Sequence, residues 1–235
     1  MTRVNFLHVT ETSLQDPRAA RSRDALLGAA AELLREREAS AITATDVVRQ
    51  AQVSRPTLYQ HFGDLPTLFV AATTAHLHSL FDDALPQDHL NSYEAGLASI
   101  EHLLEHLRAD ASLFRHAIRG PGGFAVLRAL TDTLTQRLRT HSPLRTALDS
   151  PQAPAQVDEF LAHGTVGLVA TWLESDFGGA DSVAAMTDRI VSLLAFHLAA
   201  STGAPLAPPA VEQAPTPGAR DARHHRSTTD AEALA

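Results

Sequence analysis

Five side chains that can contact a nucleic acid lie within seven residues of the chain: Arg55, Thr57, Tyr59, Gln60 and His61. Arginine can pair bidentately with guanine and glutamine with adenine, while threonine can contact base edges or the thymine methyl group. Tyrosine and histidine can hydrogen-bond phosphates, which sets the register of binding but reads no sequence. On a short helix presented by a rigid partner, such a set fits the major groove of DNA.

These side chains belong to a helix-turn-helix pattern at about 43–62, in which two short helices flank a tight turn at 52–54. Ser54 is the expected N-cap of the second helix, and Pro56 stands in its first turn, where its missing N–H costs nothing. Thr43 begins the first helix and is expected to direct its hydroxyl and helix-terminal N–H groups toward a phosphate. Taken alone the pattern is weak, because many paired helices share this spacing.

The elements that must position this segment are also helical. Apolar residues recur at helical spacing and alternating strand patterns are missing, which predicts an all-α protein of about nine helices. Asp64 is expected to cap the fourth helix and Asp181 the last one. The helix from Phe160 to Leu173 is apolar or small on every side, which predicts burial all round. We expect residues 1–17 and the proline-rich stretch 202–235 to be disordered.

Composition excludes several classes of function. The chain has 235 residues, a formal net charge of −8 and no cysteine, so disulfides, thiolate metal sites and thiol nucleophiles are absent. It contains no glycine-rich phosphate loop, GxSxG or HExxH motif, so we expect neither an enzyme nor a cofactor. No signal peptide and no stretch of about 18 apolar residues is present, which predicts a cytoplasmic protein. Residues 1–65 carry eight arginines and eight acids and are neutral, whereas the acidic remainder argues against indiscriminate coating of nucleic acid.

The run from Arg23 to Leu80 resembles the DNA-binding domain of the TetR family of bacterial transcriptional regulators. The matching residues are Ala29-Ala30, Leu33-Leu34, Thr43, Asp46-Val47-Val48, Val53-Ser54, Pro56-Thr57-Leu58-Tyr59-Gln60-His61-Phe62 and Leu68-Phe69. The resemblance implies that DNA is bound by Thr43, Arg55, Pro56, Thr57, Tyr59, Gln60 and His61. Gly164-Thr165-Val166-Gly167 and Trp172-Leu173 resemble the penultimate helix of many family members.

The resemblance further implies a ligand-released repressor with DNA-binding residues 18–80 and an effector-binding and dimerisation domain at 85–200. The last two helices would pair with those of a second subunit, and the homodimer would read a palindromic operator in double-stranded DNA. The effector is an unknown small molecule, and no membrane is involved. Two alternatives stay open: a histidine-based metal-responsive regulator, and a dimeric small-molecule-binding protein with weakened DNA recognition.

Two residues depart from the family pattern. Where Gln52 stands, family members commonly have a glycine in the left-handed conformation, so we expect Gln52 to be slightly strained or to turn differently. Leu65 replaces a lysine that usually contacts a phosphate, which should weaken binding and reduce its salt dependence by about one contact. Arg18, Arg21 and Arg23 are candidates to compensate by reaching the DNA backbone or the minor groove.

Candidate ligand contacts in the second half are His76, His102, His106, Phe114 and Trp172. Large apolar groups with one or two polar anchors suit a largely apolar small molecule, although core packing is the simpler interpretation of the aromatic residues. His102 and His106 lie four residues apart on one helix face, as metal ligands would. Surface exposure and ordinary hydrogen bonding explain the histidines more simply than a metal does.

Overall fold

The computed structural model describes residues 17–84, 93–141, 148–149, 151 and 155–201, and within these residues it contains helices and no strand. The α-helices are α1 (Pro17–Glu36), α2 (Ala44–Ala51), α3 (Arg55–Phe62), α4 (Leu65–Ala84), α5 (Tyr93–Ala109), α6 (Ala111–Ile118), α7 (Gly123–His141), α8 (Val157–Trp172) and α9 (Val183–Ser201). Short 3-10 turns lie at Ala39–Ala41 and Gly179–Asp181. The all-α prediction is confirmed. The expected disorder of 1–17 and 202–235 concerns residues that, apart from Pro17, lie outside the described ones.

Local capping sets most of the helix ends near the helix-turn-helix. The Ser54 hydroxyl accepts a hydrogen bond from the Thr57 N–H at 3.3 Å, and the Asp64 carboxylate accepts one from the Thr67 N–H at 2.8 Å. Gly63 ends α3 with a φ of +76°, in the region that glycine adopts without strain. The predicted caps at Ser54 and Asp64 are therefore confirmed.

The cap predicted for the last helix was wrong by one residue. The Ser182 hydroxyl, rather than the Asp181 carboxylate, accepts the N–H of Ala185 at 3.2 Å. Asp181 closes the 3-10 turn instead, because its own N–H donates to the Gly178 carbonyl at 2.9 Å. The backbone therefore enters the α-conformation only after Ser182, which is extended.

Helix α3 is fixed by a core that it shares with α1, α2 and α4. Fully buried side chains from all four helices form this core: Leu26, Leu34, Val47, Leu58 and Leu68. Burying an aliphatic side chain of this size contributes about 1.5–3 kcal/mol. Although α3 has only eight residues, this packing holds it in one orientation.

The prediction that α8 is buried on every side was wrong for the single chain. Ala162 and Trp172 are buried, but Phe160 is 67% exposed and Gly164 and Gly167 are also exposed. On α9, Phe196 is similarly 57% exposed. Within one chain α8 packs mainly against α7 and α9 mainly against α5, so apolar side chains of both helices are left on the outside. None of the described helices is both long and apolar enough to cross a membrane.

Gln52 adopts the left-handed conformation, with φ 54° and ψ 40°. A side chain in this conformation costs roughly 1–2 kcal/mol relative to glycine, part of which is offset by the greater unfolded-state entropy of glycine. We therefore expect Gln52→Gly to raise the free energy of unfolding by about 0.5–1 kcal/mol in urea denaturation. Gln50→Gly, at an exposed position inside α2, is the matched control and should lower it by about 1 kcal/mol. If both variants lose stability, Gln52 is not strained.

Candidate nucleic-acid interface

The outer surface of α3 presents the predicted base-reading side chains. Arg55, Tyr59 and Gln60 are exposed, whereas Leu58 and Phe62 on the opposite side are buried in the core. Arg55 is the first residue of the helix, where the recognition helix of a helix-turn-helix contacts base edges. The structure thus places an arginine and a glutamine outward on a rigid support, as base recognition requires. Their contacts with bases stay a prediction.

The other three predicted residues of α3 differ in accessibility. The Thr57 hydroxyl lies 2.7 Å from the Ser54 hydroxyl, so it takes part in the cap and leaves its methyl group for contact. His61 is half-buried, with its ring centroid 6.2 Å from that of Phe62. Pro56 is exposed in the first turn. Thr57 and His61 therefore help to stabilise α3 and are only partly accessible to DNA.

In the structure the hydrogen-bond donors of Thr43 are engaged within the chain, and its contact with a phosphate stays a prediction. Its N–H and its hydroxyl both donate to one carboxylate oxygen of Asp46, at 3.0 and 2.7 Å. The Asp46 N–H donates back to the Thr43 hydroxyl oxygen at 3.2 Å, which completes a capping box. The hydrogen bonds from Thr43 lower the pKa of Asp46 below its ordinary value. In the DNA-free chain the carboxylate of Asp46 therefore accepts both donors of Thr43.

Asp46 also gathers two arginines that sequence reasoning missed. Its carboxylate lies 3.1 Å from the guanidinium of Arg49 and 3.6 Å from that of Arg37. Arg49 lies on α2, and 76% of its side chain is exposed to solvent. The spacing of Asp46 and Arg49 on one helix could have indicated their contact, but the contact with Arg37 depends on the tertiary fold.

The arginines proposed to replace the missing lysine differ in their surroundings. The Arg21 guanidinium donates to the Pro17 carbonyl at 3.0 Å, within α1. The Arg23 guanidinium lies 5.5 Å above the ring of Phe62 and is thereby placed beside the end of α3. Arg18 is exposed at the start of α1. Leu65 is half-buried and packs against the core, so its position supports α4 instead of contacting a phosphate.

The candidate ligand residues lie in three places, of which the pair His102 and His106 is the third. His76 on α4 lies against Phe114 on α6, with ring centroids 5.9 Å apart. Trp172 is buried at the end of α8, where its indole N–H donates to the Asp181 carbonyl at 2.6 Å and its ring contacts Phe177. Phe114 and Trp172 both belong to the buried hydrophobic core.

The histidines with metal-ligand spacing do contact each other. The Nε2 atoms of His102 and His106 are 3.1 Å apart, with the rings nearly perpendicular. His116 is engaged elsewhere, because its Nδ1 lies 2.7 Å from the Leu34 carbonyl. Across the part of the chain that the structure describes, no group of three His, Asp or Glu side chains is placed to hold a metal ion.

Comparisons with known proteins give the family of this segment and the fold of the chain. Residues 26–72 match the family model of bacterial regulatory proteins of the tetR family, whereas no curated protein matches the sequence. Similar solved structures include the TetR family repressor AlkX from Dietzia sp., implicated in biodegradation of n-alkanes, at 21% identity and a TM-score of 0.53 over 78% of this chain and 98% of that chain. RolR in complex with resorcinol has 19% identity and a TM-score of 0.54 over 79% of this chain and 95% of its own. A tetR-family regulator from Streptomyces coelicolor has 16% identity and a TM-score of 0.52 over 79% and 85%.

If α3 reads bases, substituting an arginine on α3 and substituting one on α2 should change DNA affinity in different ways. We expect Arg55→Ala to weaken binding to a preferred duplex by about 1–3 kcal/mol and to change binding to a scrambled duplex little. Arg49→Ala should weaken binding to both duplexes alike and lower the slope of log affinity against log salt by about one. Fluorescence anisotropy at several salt concentrations measures both effects, with Arg128→Ala at an exposed position on α7 as control. Equal losses on both duplexes for Arg55→Ala would assign that side chain to phosphate.

Proposed function

We propose that the chain is a regulator of the TetR family, a homodimeric repressor that binds a palindromic operator in the cytoplasm and is released by a small molecule. The main support for this proposal is the orientation of α3. Arg55 and Gln60 are exposed on its outer side, while Leu58 and Phe62 anchor it in the core. In this proposal residues 18–80 bind DNA, and residues 85–200 bind the effector and a second subunit. The chain would act by binding alone, without catalysis or a cofactor.

Dimerisation through α8 and α9 is supported by the apolar surface of these helices. Phe160 on α8 and Leu193 and Phe196 on α9 are all more than half exposed, and such clustered apolar surface favours a protein partner. At Gly164 and Gly167 a Cβ atom would meet nothing within 4 Å, so the backbone there is open to close approach by another helix. A two-fold dimer presents two recognition helices, which accounts for a palindromic operator.

The position of α4 supports release by an effector. This helix packs against α1 and α3 of the DNA-binding part and also against α5, α6 and α7. A ligand that binds more tightly when α4 is displaced would populate that state. The two recognition helices would then leave the spacing of successive major grooves, about 34 Å. His76 and Phe114, which contact each other across α4 and α6, are the candidate ligand contacts that we retain at this junction.

A metal-responsive regulator is a second candidate, favoured by the contact between His102 and His106. Two imidazoles four residues apart can chelate Zn²⁺ or Ni²⁺. If the pair serves as an effector site, Zn²⁺ should raise Tm and weaken DNA binding, and His102→Ala should abolish both effects. Unchanged Tm and DNA affinity in saturating Zn²⁺ would eliminate this candidate and leave the small-molecule regulator.

Selection from a pool of random duplexes tests the proposed DNA recognition. The purified protein should enrich an inverted repeat whose half-sites are about one helical turn or a small multiple of it apart. The same selection with Arg55→Ala should lose the consensus at specific positions within each half-site. Failure of the unaltered protein to enrich any sequence, even at low salt, would support the alternative of a small-molecule-binding protein with weakened DNA recognition.

The proposed dimer surface can be tested with a pair of matched substitutions. Phe196→Asp places a charge within the exposed apolar surface of α9 and should convert the dimer to a monomer in sedimentation velocity, because a buried unpaired carboxylate opposes association. Phe124→Asp is the control, since Phe124 is 83% exposed on α7, away from α8 and α9 in sequence, and it should leave the dimer intact. A monomeric unaltered protein, or dissociation by the control alone, would contradict this assignment.

A further inference from the structure

The carboxylate of Asp110 joins three helices at the corner between α5 and α6. One of its oxygens accepts a hydrogen bond from the Arg35 guanidinium at 2.7 Å, and the other lies 2.7 Å from the Nε2 of His76. Arg35 lies in the last turn of α1 and His76 lies in α4. All three side chains are at least two-thirds buried. Each carboxylate oxygen is thus committed to a different helix.

Asp110 makes these contacts at the expense of its local role. It is the N-cap residue of α6, where an aspartate ordinarily accepts a hydrogen bond from the backbone of the first turn. Here its side chain makes no capping hydrogen bond. Helix stability alone therefore does not account for an aspartate with this orientation, whereas the link between α1 and α4 does.

The charges around Asp110 favour its ionised form. Burial raises its pKa, but the hydrogen bonds from Arg35 and His76 outweigh this effect and the net pKa is lowered. Arg35 is held in turn by Glu32 at 2.7 Å, on the same helix. The link consists of charged, directional hydrogen bonds, which are stronger and more selective in geometry than neutral ones.

The other end of α6 also rests on the end of α1. The Nδ1 of His116 lies 2.7 Å from the Leu34 carbonyl, and Arg119 lies 3.7 Å from Glu38. Beyond the helix, a Cβ atom on Gly120 would come within 2.6 Å of the Ala39 side chain, so the backbone lies very close to the turn that leads into α2. Because these contacts hold the C-terminal end of α6, the hydrogen bonds of Asp110 restrain the N-terminal end of α6 against α1.

We propose that Asp110 is a positioning residue for DNA binding, which fixes α1, and with it α2 and α3, against α4 and α6. The inference rests on the proposed dimeric DNA-binding function, because the consequence concerns the separation of two recognition helices. Without this link the core shared by α1–α4 is held less firmly against α6, and the dimer accepts operators of several half-site spacings. Recognition within a single half-site is unaffected, because Asp110 does not belong to α3.

The test compares operators that differ only in half-site spacing. Starting from the inverted repeat that the unaltered protein selects, duplexes are made with one base pair added or removed at the centre, and one duplex has a scrambled half-site. We expect Asp110→Asn to bind the selected repeat about tenfold more weakly, which corresponds to the loss of one charged hydrogen bond. The variant should also discriminate less between spacings, while its affinity for the single half-site stays within about twofold.

Matched variants separate positioning from general damage to the fold. Glu105→Gln breaks the exposed ion pair with Arg108 on α5, where the two groups are 2.6 Å apart, and should leave spacing discrimination unchanged. Arg35→Gln and His76→Phe each remove one of the two links, so both should relax spacing discrimination even if Asp110→Asn fails to fold. Equal losses on the full repeat and the half-site, or unchanged discrimination in folded variants, would overturn the inference. If the unaltered protein selects no inverted repeat, the proposed function itself fails.

Discussion

The proposed function depends on the burial of Leu58 and Phe62 beneath α3. A helix of eight residues is marginal by itself in water, so it cannot present Arg55 and Gln60 in a defined direction without support. The apolar side chains of α1, α2 and α4 supply that support, and the caps at Ser54 and Gly63 fix where the helix begins and ends. Polar residues on the outside are thereby positioned by apolar residues on the inside.

Two half-buried aspartates, Asp46 and Asp110, form ion pairs at the edge of this core. Asp46 holds Arg37 and Arg49 close to the start of α2, and Asp110 holds Arg35 on α1 together with a histidine on α4. Asp46 thus connects α2 to the residue that follows α1, and Asp110 connects the start of α6 to α1 and α4. The chain is acidic overall, with a net charge of −8, yet around Asp46 two arginines face one acid. A local surface of this kind can approach a phosphate backbone despite the charge of the whole protein.

The sequence allowed the fold and the position of α3 to be predicted because both depend on local signals. Helical periodicity gave the all-α class, and Ser54, Gly63 and Asp64 marked the ends of α3 and the start of α4. Where two neighbouring residues can both cap, as Asp181 and Ser182 can, the sequence does not decide between them. The links from Asp46 to Arg37 and from Asp110 to Arg35 join residues on different helices, and no periodicity indicates such partners. The capping box between Thr43 and Asp46 is local, because the two residues are three positions apart.

The central claim is that α3 reads DNA sequence, and the ratio of two affinities tests it most directly. The affinity of the unaltered protein for its selected inverted repeat is divided by its affinity for a scrambled duplex of equal length, at two salt concentrations. Because phosphate contacts are common to both duplexes and base contacts are not, we predict a ratio of about a thousand or more that persists as salt weakens both affinities. A ratio near one at both salt concentrations would mean that the protein binds only the DNA backbone, and would contradict the account.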